Sequence, residues 1–289
     1  MKKSIIILLT FVFPSLNFAQ ENNNYPWKII ETSSGETTDI PAILKAINEV
    51  QLVVFGEEHD DSIAHVVQER LYRGMIEKYG NATLSLEMFE RDVQLIMDEY
   101  LSGLISEDKL IEEGRAWSNY SDYAPLLYLA KEEGQAVVAS NVPGRYANMV
   151  SRKGLGTLEL LSRKAADYYS AFSLPKEDDP YLKKFNDAMG SHGQHMGPQY
   201  FHAQLLRDAT MATSILQSWR KNRRIKILHL TGRFHSDEGL GTVNELKRRK
   251  KNLRIITISS FPSPDFQNPD FKAIQSLADY IILTKPQKK

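Results

Sequence analysis

The chain has 289 residues, which suits one large α/β domain or one domain with a helical insertion. Its composition is that of an ordinary globular protein, with 42% hydrophobic and 25% charged residues. Lys and Arg together number 36, as do Asp and Glu, so the net charge predicts neither a nucleic-acid partner nor a membrane-surface partner.

The first 19 residues have the pattern of a secretory signal peptide. Lys2 and Lys3 precede an apolar stretch from Ile5 to Phe13, which is too short to span a bilayer as a permanent helix, and cleavage is expected after Ala19. A buried N-terminal strand is the alternative. The chain has no cysteine, hence no disulfide and no thiol for lipid attachment. We therefore expect an exported, soluble protein, periplasmic or extracellular.

Residues 20–39 are polar and predict an N-terminal arm, followed by an α/β domain over residues 40–289. Six apolar runs predict strands, at Leu52–Phe55, Thr83–Leu86, Ala136–Ala139, Lys226–Leu230, Arg254–Ile258 and Tyr280–Leu283. A helical pattern over residues 62–79 separates the first two strands. This alternation predicts an α/β fold with a mostly parallel β-sheet flanked by helices. Residues 144–222 contain no convincing strand and predict a smaller inserted helical subdomain.

Two of the predicted strands end in the same short motif, Gly-x-x-His. Gly56 and His59 follow the first strand, and Gly232 and His235 follow the fourth. If both strands are parallel in one sheet, the two histidines leave the same edge and can face each other. The match between two distant strand ends favours a functional site over the alternative, in which acidic residues cap a helix beside a solvated histidine.

Carboxylates accompany these histidines. Glu57 lies two residues before His59, and Glu87 ends the second predicted strand. With His235 they suit general acid–base chemistry, or a divalent metal held by His59, His235 and Glu87. The alternatives are helix capping by Glu87 and a buried polar network that holds the sheet edge together. The sequence shows no Ser or Cys nucleophile elbow, which disfavours acyl-enzyme chemistry.

A second cluster lies in the predicted helical subdomain. It contains the side-chain types that ligate haem iron, at Met189, His192, His195, Met196, Tyr200 and His202. A glycine-rich loop with incidental histidines is the alternative. Further along, Gln204 and Asp208 lie at i, i+4 and could reach toward the sheet edge. Arg145 and Arg152 follow the third strand and could pair with carboxylates, either the protein's own or haem propionates.

Five motifs, in order along the chain, resemble those of the ChaN-like haem-binding proteins. They are Gly56-Glu57-Glu58-His59-Asp60 with His65 and Gln68, Leu86-Glu87-Met88-Phe89, Ala139-Ser140-Asn141-Val142-Pro143, Ala203-Gln204-Leu205-Leu206-Arg207-Asp208-Ala209-Thr210-Met211-Ala212 and Gly232-Arg233-Phe234-His235. The resemblance runs from about residue 50 to the C-terminus. ChaN-like proteins look related to the Tiki proteases, the TraB proteins and the erythromycin esterases, which share paired Gly-x-x-His motifs and an acidic residue.

The resemblance implies a parallel sheet flanked by helices, with a small helical domain. It also implies an iron-regulated, exported haem-binding protein that forms a homodimer on haem binding and works with envelope haem or iron transport components. Tyr200 is the expected haem-ligating tyrosine, with His195 as a partner or as a cap across a dimer. His192 and Arg145 are further cofactor-binding candidates. The superfamily pocket maps onto Glu57, His59, Glu87 and His235.

Two functions are therefore expected. The first is haem or iron binding at the cell envelope, in which the chain is a binding protein rather than an enzyme and haem is the cofactor. The alternative is a metal-dependent hydrolase that uses the paired Gly-x-x-His pocket, with Glu57 or Glu87 as general base and a divalent metal as cofactor. The resemblance favours the first, whereas the residue pattern alone favours the second. Family members are often lipoproteins, but this chain has no cysteine to carry a lipid.

Overall fold

The fold is built on one mixed β-sheet. A computed structural model describes residues 25–193 and 197–287, and its strands are β1 (Trp27–Glu31), β2 (Glu36–Thr38), β3 (Leu52–Glu57), β4 (Ala82–Glu90), β5 (Val137–Asn141), β6 (Lys226–Gly232), β7 (Ile255–Pro262) and β8 (Tyr280–Thr284). In space they run β2-β1-β8-β7-β3-β6-β4-β5. The pairs among β3 to β8 are parallel, whereas β1 is antiparallel to both β2 and β8. The prediction of a mostly parallel sheet is confirmed.

Helices cover both faces of this sheet. They are α1 (Ile40–Ala46), α2 (Ser62–Tyr79), α3 (Gln94–Leu101), α4 (Glu107–Glu113), α5 (Tyr120–Glu132), α6 (Gly144–Lys153), α7 (Pro180–Gly193), α8 (Gln199–Lys221), α9 (Gly241–Arg249) and α10 (Phe271–Ile274). In β3, Val53 and Phe55 pack into a core with α2 and α5. The alternate residues Leu52 and Val54 pack on the other face with α8 and α9. A strand covered on both faces explains the continuous apolar run in the sequence.

Helix α2 occupies the predicted residues 62–79 and anchors the loop that carries His59. Asp61 Oδ1 accepts hydrogen bonds from two backbone N–H groups of the first turn, at 3.1 and 3.2 Å. The other carboxylate oxygen of Asp61 accepts a bond of 2.6 Å from the Thr284 hydroxyl at the end of β8. Gly80 ends the helix in the left-handed conformation, with φ of 70°. The loop after the first motif is therefore fixed to both α2 and β8.

The sheet begins earlier in the chain than predicted. The sequence predicts a polar arm over residues 20–39, but β1 and β2 lie within this range and extend the sheet beyond β8. This pairing buries Ile29 and Ile30, and it joins the two ends of the described chain, with Trp27 opposite Thr284. Two isoleucines among polar neighbours predict a strand only weakly, because their stabilisation comes from a partner strand far away in sequence.

The region predicted as a helical subdomain, residues 144–222, holds α6, α7 and α8 and two short 3₁₀ helices, with no strand at its described positions. Helix α8 packs against β5 and α9, so it belongs to the layer that covers the sheet rather than to a separate body. None of the described helices combines the length and the apolar character that a membrane crossing requires.

Candidate functional site

The two Gly-x-x-His motifs lie side by side, as the sequence predicts. Strands β3 and β6 are parallel neighbours with Glu57 opposite Gly232, and β4 pairs with the other side of β6. Three adjacent strands therefore bring Glu57, Glu87 and Gly232 to one edge of the sheet. His59 and His235 follow directly in the loops beyond. We call these residues and the groups bonded to them the polar site.

Each glycine of the two motifs makes room for the other motif. A Cβ on Gly56 would lie 2.9 Å from the Cα of Arg233 in the second motif. A Cβ on Gly232 would lie 2.8 Å from Nε2 of His59 and 3.8 Å from Oε2 of Glu87. A side chain at either position would push the two strand ends apart. These glycines are thus explained by close approach of neighbouring groups.

Glu57 is buried and orients His59. Its Oε1 accepts hydrogen bonds from His59 Nδ1 at 2.9 Å and from the Tyr123 hydroxyl at 2.5 Å. Its Oε2 accepts a bond from the side-chain amide of Gln68. Because a carboxylate only accepts hydrogen bonds, Nδ1 of His59 carries a proton. In the neutral ring the lone pair is then on Nε2.

His59 is the solvent-accessible member of the polar site, with 38% of its side chain exposed. Its ring lies edge-on to Trp117, with the ring centres 5.0 Å apart, and Asn119 donates a bond of 2.9 Å to its carbonyl oxygen. Partial burial lowers the pKa of His59, but the hydrogen bond to Glu57 and the charge of Glu87 outweigh burial and hold the pKa above 6.5. An oriented imidazole of this kind can accept and return a proton.

Glu87 is buried and ionised. Its Oε2 accepts hydrogen bonds from the Thr231 hydroxyl at 2.6 Å and from the backbone N–H of Gly232 at 2.8 Å, and its Oε1 lies 3.4 Å from His235 Nε2. Burial raises the pKa of Glu87, but the charges of His235 and His59 and the two hydrogen bonds bring the pKa down to about 2. Glu87 is therefore a fixed negative charge at neutral pH.

His235 is buried between two carboxylates. Its Nδ1 donates to Asp208 Oδ1 at 2.7 Å, its Nε2 faces Glu87, and the side-chain nitrogen of Gln204 lies 3.0 Å from Nε2. Burial lowers the pKa of His235, but the charges of Glu87 and Asp208 raise it by more than burial lowers it. The pKa of His235 therefore lies above 6.5. The expectation that Gln204 and Asp208 reach the sheet edge is confirmed.

Asp208 joins three parts of the fold. Besides His235, its carboxylate accepts hydrogen bonds from the Thr242 hydroxyl in α9 and from the Tyr181 hydroxyl in α7, both at 2.8 Å. Burial raises the pKa of Tyr181 well above 10, and the Asp208 charge raises it further, so the phenol keeps its proton and donates it. Asp208 thus ties the helical region to the polar site.

Two more histidines support the site from inside the fold. His65 is buried on α2, with Nδ1 3.0 Å from Gln68 Oε1 and Nε2 3.2 Å from the carbonyl oxygen of His59. His229 is buried within β6 with Nδ1 3.0 Å from the Ser85 hydroxyl, and burial lowers the pKa of His229 to about 4. His229 is a buried residue of the strand interior, while His65 contacts the backbone of His59.

The metal assignment finds no support in the geometry. Among the described residues, no group of three His, Asp or Glu side chains is arranged to hold a metal ion. The predicted set was His59, Glu87 and His235. His235 already directs both ring nitrogens at carboxylates, and both oxygens of Glu87 face donors of the protein. The same side chains that looked like metal ligands in sequence satisfy one another instead.

The residues predicted to bind haem surround the start of α8. Tyr200 lies in the first turn, is 38% exposed, and its hydroxyl has no hydrogen-bond partner within residues 25–193 and 197–287. His202 is half-buried, and burial lowers the pKa of His202 below 6.5. His195 lies outside the described residues, and of His192 only the backbone is described. The structure therefore places Tyr200 and leaves the two upstream histidines as predictions.

An aromatic cluster begins at the residue after Tyr200. Phe201 is buried against Tyr181 and Phe185, with ring centres 5.4 and 5.1 Å apart. Partly buried apolar side chains pack around them, namely Leu182, Met189, Leu205, Phe234 and Leu240. Tyr200, Gln204 and Asp208 follow one another at i, i+4 and i+8 on α8. An exposed phenol and the polar site thus share one helix face.

Arg145 lies in the first turn of α6 and is half-exposed. Its Nη1 donates to Asp92 Oδ2 at 2.5 Å, and its guanidinium carbon lies 4.5 Å from the ring centre of Tyr146. Arg115 binds the other oxygen of Asp92. Of the two alternatives left open by the sequence, the structure shows Arg145 paired with a carboxylate of the protein itself.

Several residues of the polar site escape sequence reasoning. Tyr123 looks like one more aromatic residue of α5, and Tyr181 follows a proline in a region without a strong pattern. Neither gives a local signal that its hydroxyl meets a buried carboxylate. Thr231 does give one, because a single hydroxyl at the end of an apolar strand and next to a glycine has to find a partner.

Comparisons with known proteins identify the family and the fold of this chain. The sequence model described as "Haem-binding uptake, Tiki superfamily, ChaN" matches residues 43–246. The structure of Campylobacter jejuni ChaN, reported with cofacial haem binding, aligns with a TM-score of 0.66 at 15% identity, over 90% of this chain and 97% of that one. At this identity the likeness establishes the fold alone.

Two further solved structures are more distant. The type III effector HopBA1 aligns with a TM-score of 0.47 at 13% identity, over 86% of this chain and 94% of that one. A mutant of erythromycin esterase EreC in its open conformation aligns with a TM-score of 0.49 at 12% identity, over 90% and 83%. No curated protein matches. Because the sequence model covers most of the chain, this protein belongs to the ChaN family of the Tiki superfamily, the family of haem-binding uptake proteins.

Proposed function

We propose that this chain binds haem and that the Tyr200 phenolate ligates its iron. The family supports the ligand, and one observation supports the residue. Tyr200 exposes its phenol in the first turn of α8, and within the described residues the hydroxyl is not engaged. Tyrosine is an established axial ligand of haem iron. A phenol that is buried or hydrogen-bonded within the protein would have to break those contacts before it could bind the haem iron.

The surroundings of Tyr200 fit an apolar, planar ligand. Phe201 and the cluster of Tyr181 and Phe185 give this end of α7 and α8 an apolar interior with partly exposed margins. Burial keeps His202 neutral at physiological pH, because it lowers the pKa of His202 below 6.5, so its ring retains a lone pair for a metal. His195 and His192 precede Tyr200 closely in sequence, and we propose them as the further ligand or cap.

The cellular context is part of the proposal. The pattern of residues 1–19 supports export to the envelope, with haem or iron uptake as the process and transport components as partners. A homodimer that forms on haem binding is proposed with it. Arg145 would bind a haem propionate after releasing Asp92. This exchange is feasible because half of the arginine side chain is exposed.

A haemin titration tests the ligand assignment. The wild-type protein should give a saturable Soret shift, together with a change in apparent mass on sizing chromatography. We expect Tyr200→Phe to abolish the saturable shift, because it removes the ligating oxygen and keeps the ring. Tyr128→Phe is the matched control, since Tyr128 is also about half exposed, on α5. Equal Soret shifts in both variants would contradict the role of Tyr200.

The polar site supports a second candidate function, hydrolysis. Glu57 fixes the Nδ1 proton of His59, so Nε2 of this accessible ring can act as general base toward a water molecule. His235, whose pKa lies above 6.5, can donate a proton to a leaving group, and Glu87 holds it in place. In this form the hydrolase alternative depends on the acid and base groups of the chain itself.

An ester screen with p-nitrophenyl substrates tests this candidate. We expect His59→Gln to lower the hydrolysis rate about 100-fold or more, the usual scale of general-base catalysis. In the wild type the rate should rise as the pH passes through the raised pKa of His59, because the neutral ring is the base. His202→Gln, a half-buried histidine outside the polar site, should keep the activity. A rate that His59→Gln leaves unchanged would rule out the polar site as its source.

A further inference from the structure

We propose that a basic surface at the opposite edge of the sheet docks this protein onto an anionic phospholipid bilayer. The net charge of zero does not reveal this local excess of positive charge. Residues 219–226 and 246–254 hold 11 of the 36 Lys and Arg residues and none of the 36 Asp and Glu residues. The remainder of the chain is therefore acidic. A balanced net charge here results from a separation of charge within the molecule.

The two segments meet in space. They end α8 and α9, which pack against each other, and they lead directly into the neighbouring parts of the sheet through β6 and β7. Trp219 marks the junction. Its ring centre lies 5.7 Å from the guanidinium carbon of Arg223 on one segment and 5.9 Å from Nζ of Lys250 on the other. The basic surface is thus one continuous area, at the amino ends of the strands.

Three of these 11 cations form ion pairs, and Lys226 bonds instead to the backbone carbonyls of residues 47–50. The other seven have no ion-pair partner among the described residues, namely Arg220, Lys221, Arg223, Arg224, Lys247, Lys250 and Lys251. Nearby, Glu245 takes up Arg248 and Arg249, and Glu49 takes up Arg254. The helix dipole favours cations only within the last turn of a helix, and Arg223, Arg224, Lys250 and Lys251 lie beyond the ends of α8 and α9. These additional cations are available to a partner outside the protein.

The chemistry of the surface selects the partner. It is formed at helix C-termini, which present carbonyl groups and lack the free N–H groups that bind a single phosphate. The charge is therefore diffuse and suits a plane of many anions. Trp219 is half-buried and its ring lies between cations of the two segments. An amphipathic ring flanked by long basic side chains is typical of the water–bilayer boundary, where such side chains extend toward headgroups.

Docking by this edge would leave the polar site free. Glu57, Glu87 and the two motif histidines lie at the carboxyl ends of the strands, whereas the basic surface lies where β6 and β7 begin. A strand of six or seven residues separates the two edges. Attachment through the basic surface therefore keeps the polar site and Tyr200 accessible from the side away from the bilayer.

Vesicle co-sedimentation of the full chain tests the proposal. The probes are vesicles of phosphatidylcholine alone and of phosphatidylcholine with one quarter phosphatidylglycerol. The docking variant is R223Q/R224Q/K250Q/K251Q. The control variant is K153Q/K164Q/K176Q/K272Q, which removes four exposed lysines elsewhere. Both variants keep the same N-terminus, so any contribution of the apolar residues 5–13 to vesicle binding is equal.

We expect binding to the anionic vesicles only, with loss of about fivefold in partition coefficient for each docking cation removed and loss of binding at high salt. The control variant should bind as the wild type does. Equal binding of the two variants, or absence of wild-type binding, would overturn the proposal. A duplex DNA oligonucleotide is the competing probe. If the wild type binds the DNA in preference to the vesicles, and the docking variant loses this DNA binding, the partner is a nucleic acid and the membrane assignment is overturned.

Discussion

Replacing Glu87 by Gln should lower the free energy of unfolding by about 3 kcal/mol at neutral pH. This is the stabilisation that a carboxyl group contributes when its pKa falls from 4.5 to about 2 on folding. The amide keeps the size of the side chain and can still accept from Thr231 or Gly232. It cannot supply the negative charge that stabilises His235, which then lies buried against an uncharged neighbour. The loss is therefore electrostatic rather than a packing defect.

The pH dependence of this effect has two sides with opposite signs. The pKa of Glu87 is depressed on folding, so its contribution is complete above about pH 4.5 and is lost as the pH falls toward about 2. The pKa of His235 is raised, so its contribution is complete below 6.5 and is lost as the pH rises through the folded-state pKa. The pair stabilises the fold most strongly between these two limits.

Urea unfolding between pH 3 and pH 9 measures both sides. We expect the difference between wild type and Glu87→Gln to be largest from about pH 4.5 to pH 6.5 and to shrink steadily as the pH falls to 3. Glu58→Gln is the matched control, because Glu58 is half-exposed and makes one contact of 3.4 Å with Arg233. Such a surface pair is worth at most about 1 kcal/mol. A Glu87 effect as small as that of Glu58 would show that the polar site does not stabilise the fold.

The part of the fold that the sequence predicts is the part determined by local pattern. The apolar runs of β3 and β6 identify buried parallel strands because both faces of such strands are covered. Asp61 and Gly80 limit α2 because a side-chain cap and a left-handed glycine act within a few residues. The paired Gly-x-x-His motifs place His59 and His235 at one edge because parallel strands in register must end together.

What the sequence does not predict depends on distant pairing. The strand β1 gains its stability from β8, more than 200 residues later, so its own five residues carry little signal. The hydroxyls of Tyr123 and Tyr181 reach Glu57 and Asp208 only after α5 and α7 have packed. The predicted metal site is unsupported for the same reason. The sequence shows which side chains can bind a metal, but it does not show that these side chains form hydrogen bonds and ion pairs with one another.

The arrangement of α8 connects the two proposed functions. Tyr200, Gln204 and Asp208 lie on one helix face, about one turn or 5–6 Å apart at each step. A planar ligand on Tyr200 would therefore lie within reach of the residues around His235. If the polar site is catalytic, haemin should inhibit hydrolysis in the wild type and not in Tyr200→Phe. If the polar site is structural, haemin and the stability of the fold should be linked instead, through the same helix.

Asp208 is the residue on which this connection depends, and replacing it by Ala should be among the most destabilising changes in the chain. The substitution leaves the hydroxyls of Tyr181 and Thr242 and the imidazole of His235 without their acceptor in a buried place. Removing one partner of a buried charged pair costs about 3–5 kcal/mol. Tyr181→Phe is the control, because it deletes one donor and leaves the carboxylate, at a cost of about 1 kcal/mol.

The decisive readout for Asp208 is the titration of His235, followed by NMR in the more conservative Asp208→Asn variant. Asp208 is one of the two carboxylates that raise the pKa of His235, so this pKa should fall when the charge is removed. Tyr181→Phe retains the charge and should leave the His235 pKa above 6.5. A His235 pKa that is the same in both variants would mean that Glu87 alone governs the imidazole. Helix α8 would then contribute packing to the polar site, and ligand binding at Tyr200 would have no electrostatic route to it.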